Sequence, residues 1–143
     1  SIASELVALG ADLYQLNQET ITHTDPKIIA LWGNLMANVI WDENKKFISV
    51  VCPPGFLEKH DFTEGDLAGF INFLSSITTV DVTMLMYQQS DGKSKASLRS
   101  KKTDVNALAN KFNGGGHVRA AGLNSILPLD ELHKQLIEQL RKI

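Results

Sequence analysis

Three consecutive glycines, Gly114, Gly115 and Gly116, stand directly before His117, and Arg119 follows two places on. Glycine runs cost backbone entropy on folding. A compact domain keeps one where the chain must turn tightly or where something must approach the backbone. Side-chain-free residues can turn several N–H groups into one small space. If a helix starts just after them, its unpaired N–H groups and positive dipole end face that space, which suits an anion. Residues 117–121 read as such a helix start, with His117 adding a ring donor and Arg119 a cation. A triple glycine also serves a simple tight turn with close packing, and a lone histidine also serves structure.

Arg99 is the second group with phosphate chemistry. It lies near the end of the stretch "KSKASLRS", whose alternation points Ala96 and Leu98 one way and Lys95, Ser97 and Arg99 the other. A strand followed by a helix returns the next loop near the strand's end. Arg99 could then bring a planar, bidentate phosphate donor to the glycines. Ser97 and Ser100 offer hydroxyls beside it. The spacing is neither the dinucleotide-binding fingerprint nor a P-loop, because G-x-G-x-x-G and the Gly-Lys-Ser/Thr ending are both absent.

Other chemistries lack their residues. The four histidines, His23, His60, His117 and His133, are widely spread, and no Cys/His or His/Asp cluster has metal-ligand spacing. No motif suggests a two-metal hydrolytic centre. Cys52 has no evident partner for nucleophilic catalysis.

The chain is 143 residues long, enough for one compact domain or one and a half, and its net charge is −2. Charge is unevenly placed. Seven of the fourteen Lys and Arg lie between Lys93 and Arg119, opposed there only by Asp104. A basic stretch on an acidic chain is a candidate anion site, or else a solvated face. No apolar run approaches the roughly 20 residues that span a bilayer, so no membrane partner is expected. No signal peptide is evident at the start. The single cysteine excludes an internal disulfide and fits a reducing cytoplasm.

The elements that must position these groups follow from pattern. Residues 1–36 read as three helices: Glu5 to Leu9, Asp12 to Glu19, and one after Asp25 with Pro26 in its first turn. They are expected to be a connector from a preceding domain. Two strands joined by "DENKK" follow. A helix capped by Thr63 carries Leu67, Phe70, Ile71 and Leu74 on one face. A hairpin turning at Asp91-Gly92 comes next. Thr103 or Asp104 caps a helix leading into the glycines, "GLNSIL" is a last strand, and Pro128 opens a final amphipathic helix. Trp32 and Trp41 read as packing residues. The expectation is an α/β fold: a mixed β-sheet with flanking helices over residues 37–143, preceded by the helical connector.

"SLRSK", "DVNALANKF" and "GGGHVRAAG" together resemble the C-terminal, DHH-associated domain of the DHH phosphoesterase family. Within that family the likeness is to the oligoribonuclease and 3′-phosphoadenosine 5′-phosphate phosphatase branch, also labelled exopolyphosphatase-related. The specific part spans about Val80 to Gly122. The order of elements extends the likeness to residues 37–143. The family run has a further glycine where this chain has Asn113, and Asn tolerates a left-handed backbone better than most residues.

The resemblance implies a division of labour. A DHH domain would hold Mn²⁺ and make the attacking hydroxide. This domain would hold the substrate's phosphate and nucleotide end through Arg99, Ser100, Gly114, Gly115, Gly116 and His117. No catalytic or metal-ligating residue is then expected in this chain, which alone would be inactive. The implied partners are short RNA or a nucleotide phosphate, and the DHH domain; oligomeric state stays open. A free-standing module that grips nucleic acid without chemistry is the alternative.

Overall fold

The computed structural model describes residues 25–42 and 47–143. The helices expected at Glu5 to Leu9 and Asp12 to Glu19, and most of the "DENKK" turn, lie outside the described residues. The chain divides into two compact units between Leu31 and Trp32.

Helix α1 (Pro26–Met36) starts where Asp25 Oδ1 accepts the Lys27 N–H at 2.8 Å. The elements after it are β1 (Ile40–Asp42), β2 (Phe47–Val51), the short α2 (Phe56–Lys59), a 3₁₀ turn (Glu64–Leu67) and α3 (Phe70–Ile77). Then come β3 (Val82–Gln88), β4 (Ser94–Ser100), α4 (Val105–Asn110), β5 (Gly115–His117), β6 (Ala120–Ser125) and α5 (Leu129–Leu140). The strands form one six-stranded sheet in the order β1-β2-β3-β4-β6-β5. All pairs are antiparallel except β2–β3, which is parallel and crosses over through α2 and α3. The expected mixed sheet with flanking helices is the fold found.

One sheet face carries the main core. Phe47, Val82, Met84, Met86, Ala96, Leu98, Ala121 and Leu123 pack there against Val105 and Leu108 of α4 and Leu132, Leu136 and Leu140 of α5. These side chains come from alternate positions along each strand, as a half-covered sheet requires. The other face is covered over β3 and β4 by α3, whose Phe70, Ile71 and Leu74 are buried.

Three expectations change. The helix expected from Thr63 to Ile77 is two pieces. Thr63 and Asp66 form a capping box on the 3₁₀ turn, and Gly69 at φ 83° then breaks the chain before α3. Trp32 does pack, stacking on Phe73 at 5.2 Å between ring centroids. Trp41 does not: on the edge strand β1 it is 57% exposed. Third, no helix starts after the glycines. Residues 115–117 form β5, the turn Val118-Arg119 follows, and β6 begins at Ala120.

Candidate phosphate-binding face

Local chemistry builds the glycine segment from its start. Asp104 Oδ1 caps α4 by accepting the Ala107 N–H at 2.9 Å. The helix ends in a Schellman motif. The Gly114 N–H returns to the Ala109 carbonyl at 2.9 Å, the Asn113 N–H to Asn110 at 3.2 Å, and Asn113 is left-handed at φ 58°. Asn113 thus takes the left-handed position that a glycine most often fills at a helix end.

The next two glycine requirements are steric. A Cβ on Gly114 would lie 2.5 Å from Leu123 Cβ, and one on Gly116 would lie 2.5 Å from the Ala120 carbonyl oxygen. Gly116 also sits at φ 147°. Both let β5 lie flat against β6. Gly115 differs: a Cβ there would meet only the amide oxygens of Asn110 and Asn106, at 3.8 and 4.0 Å. The glycines therefore make a β-hairpin rather than a helix entrance. No helix starts behind them, so the helix-end anion site expected from sequence is not formed.

Register brings Arg99 to the hairpin. Arg99 pairs with Ala120 across β4–β6, and Ala120 pairs with His117 across β6–β5. Beside that row runs Ser97–Gly122–Gly115, and beyond it Lys95–Asn124. Directly opposed residues of an antiparallel pair share a face. Arg99, Ser97 and Lys95 thus stand with Ala120, Gly122 and Asn124 on the face away from the main core. Past the edge of α3 this face is a shelf floored by Gly122, Ala120 and Ser97. β5 beside it is exposed throughout.

Arg99 is half-buried and held in place. Its Nε–H donates to Asn72 Oδ1 on α3 at 2.9 Å, and its Nη1 donates to the Leu98 carbonyl at 3.0 Å. The remaining guanidinium donors stay available. Ser100 is not brought to the shelf. It alternates to the opposite face, paired with the core residue Val82, and its hydroxyl donates to the Thr103 carbonyl. The register brings Arg99 and His117 into one row, turns Gly114 and Gly116 toward the core-facing residues Leu123 and Ala121, and leaves Ser100 outside.

The basic stretch is also less of a patch than its charge suggests. Arg119 Nη1 donates to the carbonyls of Lys102 and Thr103. Lys93 pairs with Asp91 at 2.8 Å, Lys111 donates to Gln139 at 3.0 Å, and Lys101 donates to the Thr78 carbonyl. Arg99 and Lys95 are the cations whose strand positions set them on the shelf.

Two positioning residues escaped the sequence reading. One is Asn72. The other is Asp81, whose carboxylate accepts the Lys101, Lys102 and Thr103 N–H groups and the Thr103 hydroxyl. Burial would raise the Asp81 pKa, but these donors outweigh it and hold the carboxyl below its usual range. The clamped loop receives Arg119, and the Arg119 carbonyl accepts the Ser100 N–H at 3.1 Å. The Val118 carbonyl accepts the first N–H of α4 at 3.0 Å. Hairpin tip, loop and helix start are thereby tied together. No local signal marks either residue, because each acts on a partner 20 or more positions away.

Burial, with the Glu58 carboxylate nearby, pushes the buried Cys52 thiol up to about 11, far from a thiolate nucleophile. Among the described residues, no three His, Cys, Asp or Glu side chains converge, so they do not fit a manganese site. Nor does any helix among them have the length and apolarity to cross a membrane. A depression of about 300 Å³ lies by β1, at the opposite sheet edge from β5, lined by Trp41, Phe47, His133, Ile137 and Arg141 among others. It shares no residue with the shelf.

The described residues form a mixed α/β domain whose sheet sets Arg99 and Lys95 on a face otherwise made of Ala, Gly, Ser and Asn. The DHHA1 domain family matches residues 44–142, and the chain belongs to that family. It is 31% identical over 124 residues to the probable bifunctional oligoribonuclease and PAP phosphatase NrnA of Streptococcus mutans, covering 87% of this chain and 39% of that protein. It is 30% identical over 115 residues to the bifunctional oligoribonuclease and PAP phosphatase NrnA of Bacillus subtilis, covering 80% and 36%. In structure it is similar to an exopolyphosphatase-related protein from Bacteroides fragilis, with TM-score 0.83 and 29% identity over 99% of this chain and 42% of that one. The pGpG-specific phosphodiesterase PggH from Vibrio cholerae shares the fold at TM-score 0.57 and 14% identity, over 81% of this chain and 40% of that one. The chain spans about two fifths of the length of these relatives.

Proposed function

We propose that this chain holds the phosphate and nucleotide end of the substrate for a manganese-dependent phosphoesterase acting on short RNA and nucleoside 3′,5′-bisphosphates. The metal ions and the attacking hydroxide would come from a DHH domain. The observation that carries this reading is the Arg99–Ala120–His117 row beside the glycine hairpin. Its cation is pre-oriented by Asn72, and the neighbouring positions are Gly, Ala and Ser. The names of the NrnA relatives support the substrate class.

In this reading Arg99 gives charge-assisted hydrogen bonds to a phosphate and His117 adds a ring N–H. Arg99 fixes the substrate rather than attacking it. The single, buried Cys52 supports a reducing, cytoplasmic setting.

Titration of AMP into the 143-residue chain and its Arg99→Ala and His117→Ala variants tests the site. Each lost contact to phosphate is expected to cost on the order of 1.5–3 kcal/mol. Unchanged affinity in both variants refutes the assignment. The division of labour fails separately if the chain alone releases mononucleotides from a short RNA with Mn²⁺ present.

A further inference from the structure

The sheet has two free edges, and they differ. At one end β5 is Gly-Gly-His. At the other β1 is Ile-Trp-Asp, and among the described residues no strand lies on its outer side. Such an edge offers unpaired N–H and C=O groups to another strand, and folded proteins commonly blunt it with lysine, proline or a bulge. β1 has neither lysine nor proline and pairs with β2 in unbroken register. It carries Ile40 and Trp41 instead, 45% and 57% exposed. They are the one pair of sequence neighbours among the exposed large hydrophobic residues described.

Ile40 stands opposite Ser49, whose hydroxyl meets His133 of α5, so Ile40 and Asp42 lie on the α5 side of the sheet. The depression of about 300 Å³ is on that side, with Phe47 and Ile137 in its wall. Trp41 alternates to the other side, beside Ile48. The charges around the depression balance. Asp42 and Glu138 stand against Lys134 and Arg141, and Arg141 Nε lies 3.0 Å from Asp42 Oδ2. A surface of one sign would repel its own copy, and a polyanion would need an excess of cations. This edge has neither bias.

We propose that β1 is a self-association edge, where a second copy of this chain adds its own β1 antiparallel about a two-fold axis. A two-fold interface brings the same patch of both copies together. With the axis at Trp41, the two indoles form a cross-strand aromatic pair on one side of the joined sheet. On the other side each Ile40 comes opposite the other copy's Asp42, beside its depression. That carboxylate is held by Arg141, so the isoleucine does not meet an unpaired charge. The pairing joins two six-stranded sheets and leaves both β5 edges outermost. The rows at Arg99 and His117 are untouched, so the inference is independent of the phosphate reading. A three-residue strand makes a small contact, of the kind that associates transiently.

Sedimentation equilibrium of the 143-residue chain from about 10 μM to about 1 mM tests it. The wild-type mass is expected to rise with concentration from 15.8 kDa toward twice that value. Trp41→Lys sets lysine opposite lysine and should weaken association at least about tenfold, and Ile40→Lys should also weaken it. Both side chains are exposed, so thermal midpoints at low concentration should match wild type, which separates lost association from lost folding. Val118→Lys, an exposed apolar residue at the β5 end, should associate as wild type does. In wild type, amide exchange at Ile40, Trp41 and Asp42 should slow as concentration rises. A mass that stays at 15.8 kDa throughout overturns the proposal. So does association that neither edge variant weakens, or that leaves exchange along β1 unchanged.

Discussion

Arg99 Nε–H and Asn72 Oδ1 meet at 2.9 Å, joining strand β4 to helix α3 across 27 residues of sequence. The bond aims a long, flexible side chain along the sheet instead of into solvent. The first prediction follows from it. Asn72→Ala is expected to weaken AMP binding by about 1 kcal/mol, the cost of reordering one freed side chain. Asn72 itself need not touch the ligand. Thermal melting of the variant should stay close to wild type while the titration shifts; equal affinity would show that the bond does no positioning.

The three glycines should separate on mutation. Gly114→Ala and Gly116→Ala each drive a Cβ into β6 backbone. A clash with backbone cannot be relieved by a rotamer change. Each is expected to cost 2 kcal/mol or more, at about the upper end of ordinary overpacking. Gly115→Ala meets only two amide oxygens at ordinary contact distance and should fold with near-normal stability. Urea denaturation reads all three. If Gly115→Ala keeps stability but binds AMP less well, the open surface at that residue serves the ligand.

Acid sensitivity should come partly from His133. Its Nε2 lies 2.9 Å from the Oγ of Ser49, which is fully buried, and desolvation lowers the imidazole pKa below its usual value near 6.5. The unfolded chain therefore takes up this proton first as pH falls. His133's contribution to stability is complete above about pH 6.5. It declines below that value until the folded-state pKa is passed. Urea midpoints between pH 7 and 5 should fall, and His133→Gln should flatten the slope. Asp81 acts in a lower window: its depressed pKa gives stability that is present above about pH 4 and lost on further acidification.

Thr83 offers a gain. Its Oγ1 is fully buried and, among the described residues, finds no hydrogen-bond partner, directly across β3–β4 from Arg99. Thr83→Val keeps the shape and removes the orphaned hydroxyl. Stability is expected to rise by up to about 1 kcal/mol. A loss of AMP affinity in this variant, read by the same titration, would instead show that the hydroxyl supports the Arg99 row.

Much of the site was legible where a few neighbouring residues decide the outcome. The alternation of "KSKASLRS" put Lys95, Ser97 and Arg99 on one face because side chains of a strand alternate by sterics alone. Asp91-Gly92 turned the hairpin, Asp104 capped α4, and Asn113 took the left-handed position. Each is settled within about one turn of chain. The glycines defeated this kind of reading. They have no Cβ to express a helix or strand preference, and a three-residue strand has no periodicity to detect.

Tertiary structure decided the rest. β6 enters between β4 and β5, so the hairpin, and not a helix end, meets Arg99. Arg119, by sequence a cation beside the glycines, donates instead to the carbonyls of a loop that Asp81 clamps. Ser100 turns to the other face. The residue types of the site were written in the chain. Which of them share a surface was set by strand order and by hydrogen bonds spanning 16 to 27 positions, and local sequence preferences carry no information over that range.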